Sequence, residues 1–165
     1  MARRGRLELS IAGLIVIVDQ ATKALVRAEF DLSESVTIVP GFFDLTRVHN
    51  AGAAFGLMNS ADFPLKTVIL GVVSAVALAG LAVYAAMLPS GQWIARIGLA
   101  CIIGGAAGNL IDRVTAGYVV DFVDLYWAGW HFWAFNVADA AITVGVGLMI
   151  LDILGVGHRR VPRTV

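Results

Sequence analysis

The stretch TVILGVVSAVALAGLAVYAAML, Thr67 to Leu88, contains no charged residue. A bilayer crossing needs about 20 consecutive, largely apolar residues, and this run supplies them on every face of a helix. A helix apolar all round belongs in lipid or deep inside a large core. The rest of the chain favours lipid: of 165 residues, 59% are hydrophobic and only 15% charged, with a mean hydropathy of +0.83. That composition excludes an ordinary soluble domain. Twelve Lys and Arg balance twelve Asp and Glu, so no basic surplus points to nucleic acid. Cys101, the only cysteine, falls within an apolar segment; it can form no intrachain disulfide or multi-cysteine metal site, and its expected role is packing.

Three further stretches have the length to cross a membrane. The first runs from about Leu9 to Val26 and carries Asp19, Gln20 and Lys23 in its later half; the third runs from about Trp93 to Ile111, and the fourth from about Trp133 to Leu154. The start MARRGRLELS is basic like that of a signal peptide, but the run behind it holds Asp19 and Lys23 and lacks a small-residue cleavage site, so it reads as a retained helix. Four crossings put both termini on one side. Arg3, Arg4 and Arg6 at the start and Arg159, Arg160 and Arg163 at the end place that side in the cytoplasm by the positive-inside rule. The link from Pro89 to Gln92 then lies inside, and two segments lie outside: about 27 to 66, and about 112 to 132. In the first, VTIVPGFFDLTRVHN joins β-branched and aromatic residues around Pro40-Gly41, predicting short strands and a turn in a small β-rich cap. The second is open between a short interfacial helix and irregular chain. The expected architecture is a single membrane domain over residues 1–165, all-α apart from that cap. In the third span, Gly104 and Gly108 form a small-xxx-small pair suited to close helix packing.

On this topology the polar residues collect at one depth. Asp19 lies in the outer half of the first span, Asn109 and Asp112 at the outer end of the third, Asp121 and Asp124 in the second outer segment, and Asn136 and Asp139 at the outer end of the fourth. Ionisable groups at membrane depth face a bundle interior or a water-filled cavity, where they find partners. Asp19 precedes Lys23 by four residues, the order that favours an intrahelical ion pair. The aspartates nevertheless outnumber Lys23 and Arg113, the bases available to them. Carboxylates crowded into a partly dry site share protons, because like charges raise one another's pKa. Such a pair can activate water and polarise a carbonyl, the two functions peptide hydrolysis requires. The residues alone do not choose between Asp121 and Asp124, and headgroup binding or proton coupling stays open as the alternative use of the same cluster. Other chemistries find less support: no serine has a readable basic partner, and His49, His131 and His158 are too scattered for a zinc motif.

Five motifs, in order on the four-span frame, carry a resemblance: DQATK at Asp19 to Lys23, NAGAAFG at Asn50 to Gly56, GNLIDR at Gly108 to Arg113, VVDF at Val119 to Phe122, and FNVAD at Phe135 to Asp139. Together they resemble the bacterial lipoprotein signal peptidases, signal peptidase II, over nearly the whole chain. The resemblance implies that Asp121 and Asp139 are the catalytic pair, and that Asp19, Lys23, Asn50, Gly52, Asn109, Asp112, Arg113 and Asn136 support the site or contact substrate. It implies an intramembrane aspartic endopeptidase of the bacterial inner membrane, with its site near the outer leaflet. The expected substrates are prolipoproteins, cut before a diacylglyceryl-modified cysteine. Neither metal nor cofactor is expected; globomycin is the expected inhibitor, membrane lipids the surroundings and a monomer the working unit.

Overall fold

The computed structural model describes residues 2–52, 65–89 and 91–156. The basic tail with His158, the later half of NAGAAFG, Ser60, Ser90 and the side chains of Arg3 and Arg4 lie outside the described residues. Four helices and four strands follow in the order α1 (Ala2–Glu29), β1 (Ser35–Val39), β2 (Phe43–Asn50), α2 (Lys66–Met87), α3 (Trp93–Thr115), β3 (Val119–Trp127), β4 (Trp130–His131) and α4 (Val137–Ile153).

Helix α2 matches the uncharged run within a residue at each end, and none of its side chains is buried. At about 1.5 Å per residue its 22 residues span a hydrocarbon core of about 30 Å. By length and apolarity, α2, α3 and the stretch Gly5–Glu29 of α1 qualify as membrane spans. The fourth predicted crossing is shorter than expected. Helix α4 begins at Val137 rather than near Trp133 and has 17 residues, because Asn136 caps it and the residues before it join the sheet. That length sits at the lower end of the range that crosses a bilayer.

Helix α3 is the centre of the bundle, packed on α1, α2 and α4. Two of its faces are lined by glycine. A Cβ on Gly104 would lie 2.9 Å from the Ala12 carbonyl oxygen of α1, and one on Gly108 would lie 2.5 Å from the Asp19 carboxylate, so the predicted small-residue pair is the seam with α1. A second seam faces α4: a Cβ on Gly105 would collide with the Ala138 carbonyl, and one on Gly98 would lie 2.7 Å from the Gly145 carbonyl. Backbone contact of this closeness supplies the dispersion energy that apolar surroundings cannot replace by hydrophobic drive.

The predicted strands around Pro40-Gly41 form β1 and β2, with Gly41 at φ +80° in the turn. The cap is larger than residues 27–66. The second outer segment is neither interfacial helix nor irregular chain but contributes β3 and β4, giving one antiparallel sheet in the order β1-β2-β3-β4. It seals one end of the bundle. Val120 and Phe122 of β3 pack against Val26, Phe30 and Val137, at the end of α1 and the start of α4. The Arg47 guanidinium on β2 donates from Nη1 to the Arg27 and Phe30 carbonyls at 3.2 and 2.7 Å, satisfying acceptors that the end of α1 leaves open.

The α3–α4 seam makes a direct prediction. Gly105→Ala is expected to lower stability by about 1–3 kcal/mol, as overpacking does, whereas Gly71→Ala, inside α2 with nothing within 4 Å of its Cβ, is expected to hold it or raise it by up to about 1 kcal/mol. Thermal unfolding of both variants in detergent checks the contrast.

Candidate active site

Asp19, Lys23 and Arg27 recur every four residues along α1 and so share one face. Lys23 has no exposed surface. Its ammonium donates to Asp19 Oδ2 at 2.9 Å, to Asp112 Oδ2 at 3.1 Å and to Asn109 Oδ1 at 2.8 Å. Arg27 Nη2 reaches Asp112 Oδ1 at 2.7 Å, and Gln20 Nε2 bonds to Asp19, to the Gly108 carbonyl and to Asp112. Two cations therefore meet two carboxylates. The predicted Asp19–Lys23 pair exists, but it belongs to a cluster spanning two helices rather than to one helix neutralising itself.

The two carboxylates also hold backbone. Asp19 Oδ1 accepts the Ala138 N–H at 3.0 Å, at the start of α4, and Asp112 Oδ2 accepts the Val120 N–H at 3.2 Å, at the start of β3. An anion at a helix N-terminus satisfies an orphan donor and suits the positive end of the dipole. The charged cluster thus fixes the elements that carry Asp139 and Asp121.

Asn136 and Asp139 form a capping box. The Asp139 N–H donates to Asn136 Oδ1 at 3.0 Å, and the Asn136 N–H donates to Asp139 Oδ2 at 3.2 Å. Asn136 Nδ2 then bonds to Asp121 Oδ1 at 2.7 Å and to Asn109 Oδ1 at 3.2 Å. Asn109 Nδ2 donates to Asp139 Oδ1 at 2.8 Å, and Asn50 Nδ2 to Asp121 Oδ2 at 3.0 Å. Each aspartate accordingly receives two donors. Asn50 is placed by the strand pairing: β2 opposes Val48 to Asp121 and Asn50 to Val119, so Asn50 is the diagonal neighbour of Asp121 on the same face. Gly52 completes the corner, its N–H bonded to Asn50 Oδ1 at 3.0 Å and its carbonyl to Arg113 Nη2 at 3.2 Å.

All ten predicted site residues belong to these two connected groups. Asp124 does not. In a strand, residues three apart point to opposite faces, and Asp124 bonds His131 Nδ1 at 2.9 Å on the other side of the sheet. The choice between Asp121 and Asp124 that the residues left open is a matter of strand alternation. Gln20 and Arg27 were missed as members of the cluster, although Arg27 continues the four-residue spacing of Asp19 and Lys23. The cavity wall from α2 was also missed, since Ser74 and Ala77 lie in a segment with no polar pattern.

Both carboxylates open onto a cavity of about 620 Å³, walled by Ser74 and Ala77 of α2, Asn109 and Arg113 of α3, and Phe132 and Phe135 before α4. No cluster of His, Cys, Asp or Glu suited to a metal ion occurs among the described residues. Burial and the charge of Asp139 push Asp121 up to about 7, against the opposing pull of the Asn50 and Asn136 hydrogen bonds and of Lys23. The arrangement can therefore hold one proton between two carboxylates near neutral pH.

That raised value has a consequence for stability. An unfolded Asp121 ionises at its ordinary value of 3.8 while the folded one waits until about 7, so its stabilising contribution is complete below the lower value and is lost as pH rises through the upper one. Asp121→Asn removes this dependence. Between pH 5 and 7 the variant is expected to gain on the wild type by roughly 1.4 kcal/mol per pH unit, and the gap to level off above pH 8; unfolding measured across that range checks the slope.

Comparison with known proteins bears on the same residues. Residues 11–155 match the family model described as signal peptidase (SPase) II. The lipoprotein signal peptidase of Geobacter sulfurreducens is 44% identical over 147 residues, covering 89% of this chain and 91% of that one. That of Symbiobacterium thermophilum is 42% identical over 148 residues, covering 90% and 94%. A solved structure described as a bacterial membrane enzyme determined by the in meso method at 2.3 Å superposes with a TM-score of 0.79 at 30% identity, covering 96% of this chain and 94% of the other. The chain belongs to the signal peptidase II family, the membrane aspartic endopeptidases that remove signal peptides from prolipoproteins.

Proposed function

We propose that Asp121 and Asp139 are the catalytic pair, and that they hydrolyse the peptide bond just before a diacylglyceryl-modified cysteine. The observation that carries this reading is that two buried carboxylates from different elements, each held by two donors, open onto one cavity. The protein is a multi-pass protein of the inner membrane. In the orientation proposed, both termini are cytoplasmic, as the terminal arginines favour; α4 is the fourth crossing, residues 1–165 form one domain, and the sheet caps the outer end. The carboxylates then lie near the outer leaflet, within reach of water.

The pair shares one proton near neutral pH, and the reaction balances with that proton placed on Asp121. Asp139 removes a proton from water as it attacks the scissile carbonyl carbon, and Asp121 donates a hydrogen bond and then its proton to the carbonyl oxygen. Collapse of the tetrahedral intermediate returns that proton and delivers the one on Asp139 to the leaving amine, so the pair ends as it began. Asn109 and Asn136 hold the carboxylates, Asn50 with Gly52 positions Asp121, and Arg113 sits where the substrate backbone or headgroup passes. Asp19, Lys23 and Asp112 support from behind. Substrate reaches the cavity from lipid. Helix α2 packs chiefly on α3, and the entrance proposed is the cavity wall that Ser74 and Ala77 of α2 share with Thr143 of α4. Such a cavity also suits the cyclic peptide globomycin as an inhibitor, and one chain holds every group named, which favours a monomer as the working unit.

Purified enzyme and a synthetic diacylglyceryl-prolipoprotein provide the test. Asp121→Asn and Asp139→Asn are each expected to lower kcat by at least about 100-fold, the scale of general acid–base catalysis, with folding retained and chelators without effect. The kcat/KM profile of the wild type is expected to fall on its alkaline side near pH 7 as Asp121 ionises. Folded wild type that binds this substrate at every pH without cutting it would instead favour a lipid-binding or transport role.

A further inference from the structure

The two asparagines between the charged cluster and the catalytic pair raise a question of direction. A carboxamide can turn over and exchange its oxygen for its NH2 at little energetic expense unless its neighbours dictate the choice. If Asn109 turned, it would present oxygen rather than N–H to Asp139. For Asn136 the choice is dictated by backbone, because the Asp139 N–H can only donate and meets Asn136 Oδ1 at 3.0 Å. Its Nδ2 must then face Asp121, the Val120 carbonyl and Asn109 Oδ1. For Asn109, two donors with no acceptor capacity meet Oδ1: Asn136 Nδ2 at 3.2 Å and, at the shorter 2.8 Å, the Lys23 ammonium.

Resting on the assignment of Asp121 and Asp139 as the catalytic pair, we infer that Lys23 is a positioning residue: with Asn136 Nδ2 it fixes the orientation of the Asn109 carboxamide, so that Nδ2 points at Asp139 while Oδ1 anchors the amide that binds Asp121. The ammonium is suited to this because it is itself fully specified. It has three protons and three oxygen acceptors, on Asp19, Asp112 and Asn109, and no exposed surface. Its first two bonds are the ion pairing that a buried cation requires. The third is not needed for charge balance, and it is the bond that reaches the site. Among the described residues, the other charged groups around the pair are Asp19 from α1, and Asp112 and Arg113 from α3; α2 contributes Ser74 and Ala77 to the cavity, and β2 contributes Asn50. Lys23 is thus the cation that touches the relay of amides, whereas Arg113 bonds only carbonyl oxygens, those of Asn109 and Gly52, among the contacts described.

Lys23→Met keeps the length of the side chain and removes its donors and charge. Cleavage of the lipidated prolipoprotein is expected to show kcat reduced by up to about 100-fold, as misplacement of a reacting group by a distant change can produce, with KM nearly unchanged. The alkaline limb of kcat/KM is expected to move up by about one pH unit, since an opposite charge has been withdrawn from the pair. A purely structural role would lower activity equally at all pH values and leave that limb in place. Because Lys23→Met leaves Asp19 without its cation while Asp112 keeps Arg27, the charge-balanced variant Lys23→Met/Asp19→Asn is assayed beside it; an amide at position 19 still accepts the Ala138 N–H, and kcat is again expected to fall. Parent kcat in the balanced variant, or an unmoved alkaline limb in folded Lys23→Met, overturns the inference while wild-type cleavage leaves the peptidase reading intact. Absence of cleavage by the wild type sinks that reading instead.

Discussion

An ammonium removed from water must find an oxygen for each of its protons, and Lys23 finds them on two helices at once. Asp19 and Asp112 supply the charge, Asn109 the third acceptor. Taking such ions out of water costs several kcal/mol each unless pairing and hydrogen bonds offset it. The offset here depends on α1 and α3 being close, and Gly108, packed on Asp19, is where the backbone makes room. Once the cluster is assembled, its remaining oxygens hold the first turns of β3 and α4. A strand and a helix that are far apart in sequence are thereby fixed relative to one another, and each carries one of the paired aspartates.

The same economy recurs in the second layer. Asn136 is at once a helix cap and a ligand of Asp121, so the geometry of α4 and the geometry of the pair are one set of bonds. Capping is worth about 1 kcal/mol in an ordinary helix. Here the cap also determines that two carboxylates face a common cavity, with donors enough to hold them but not enough to make both ionise easily. Asp121 is on a strand under the cap, where burial and the charge of Asp139 push it up to about 7.

Much of this was legible in the residues. The uncharged run from Thr67 defined the membrane setting and proved to be α2 within a residue at either end; Pro40-Gly41 marked the turn; the four-residue spacing of Asp19 and Lys23 marked the ion pair. What escaped the sequence was β3. VVDFVDLYW is rich in β-branched and aromatic residues, but two aspartates interrupt it, and its strand character depends on partners in β2 some 70 positions earlier. Periodicity within a segment does not report such pairing. That omission left Asp121 and Asp124 equivalent, since residues three apart share a helix face but not a strand face. The late start of α4 has the same origin, because Phe135 bridges to Val123 of β3 and so belongs to the sheet instead of the helix.

The central claim, a single proton held by the pair near neutral pH, can be read directly from the carboxylic acid band in an infrared pH titration of the purified enzyme. The expected result is a protonated carboxyl signal that disappears as pH rises through about 7 and is missing in Asp121→Asn. A signal lost entirely in the ordinary carboxylate range, with nothing titrating near neutrality, would contradict shared-proton chemistry at this site.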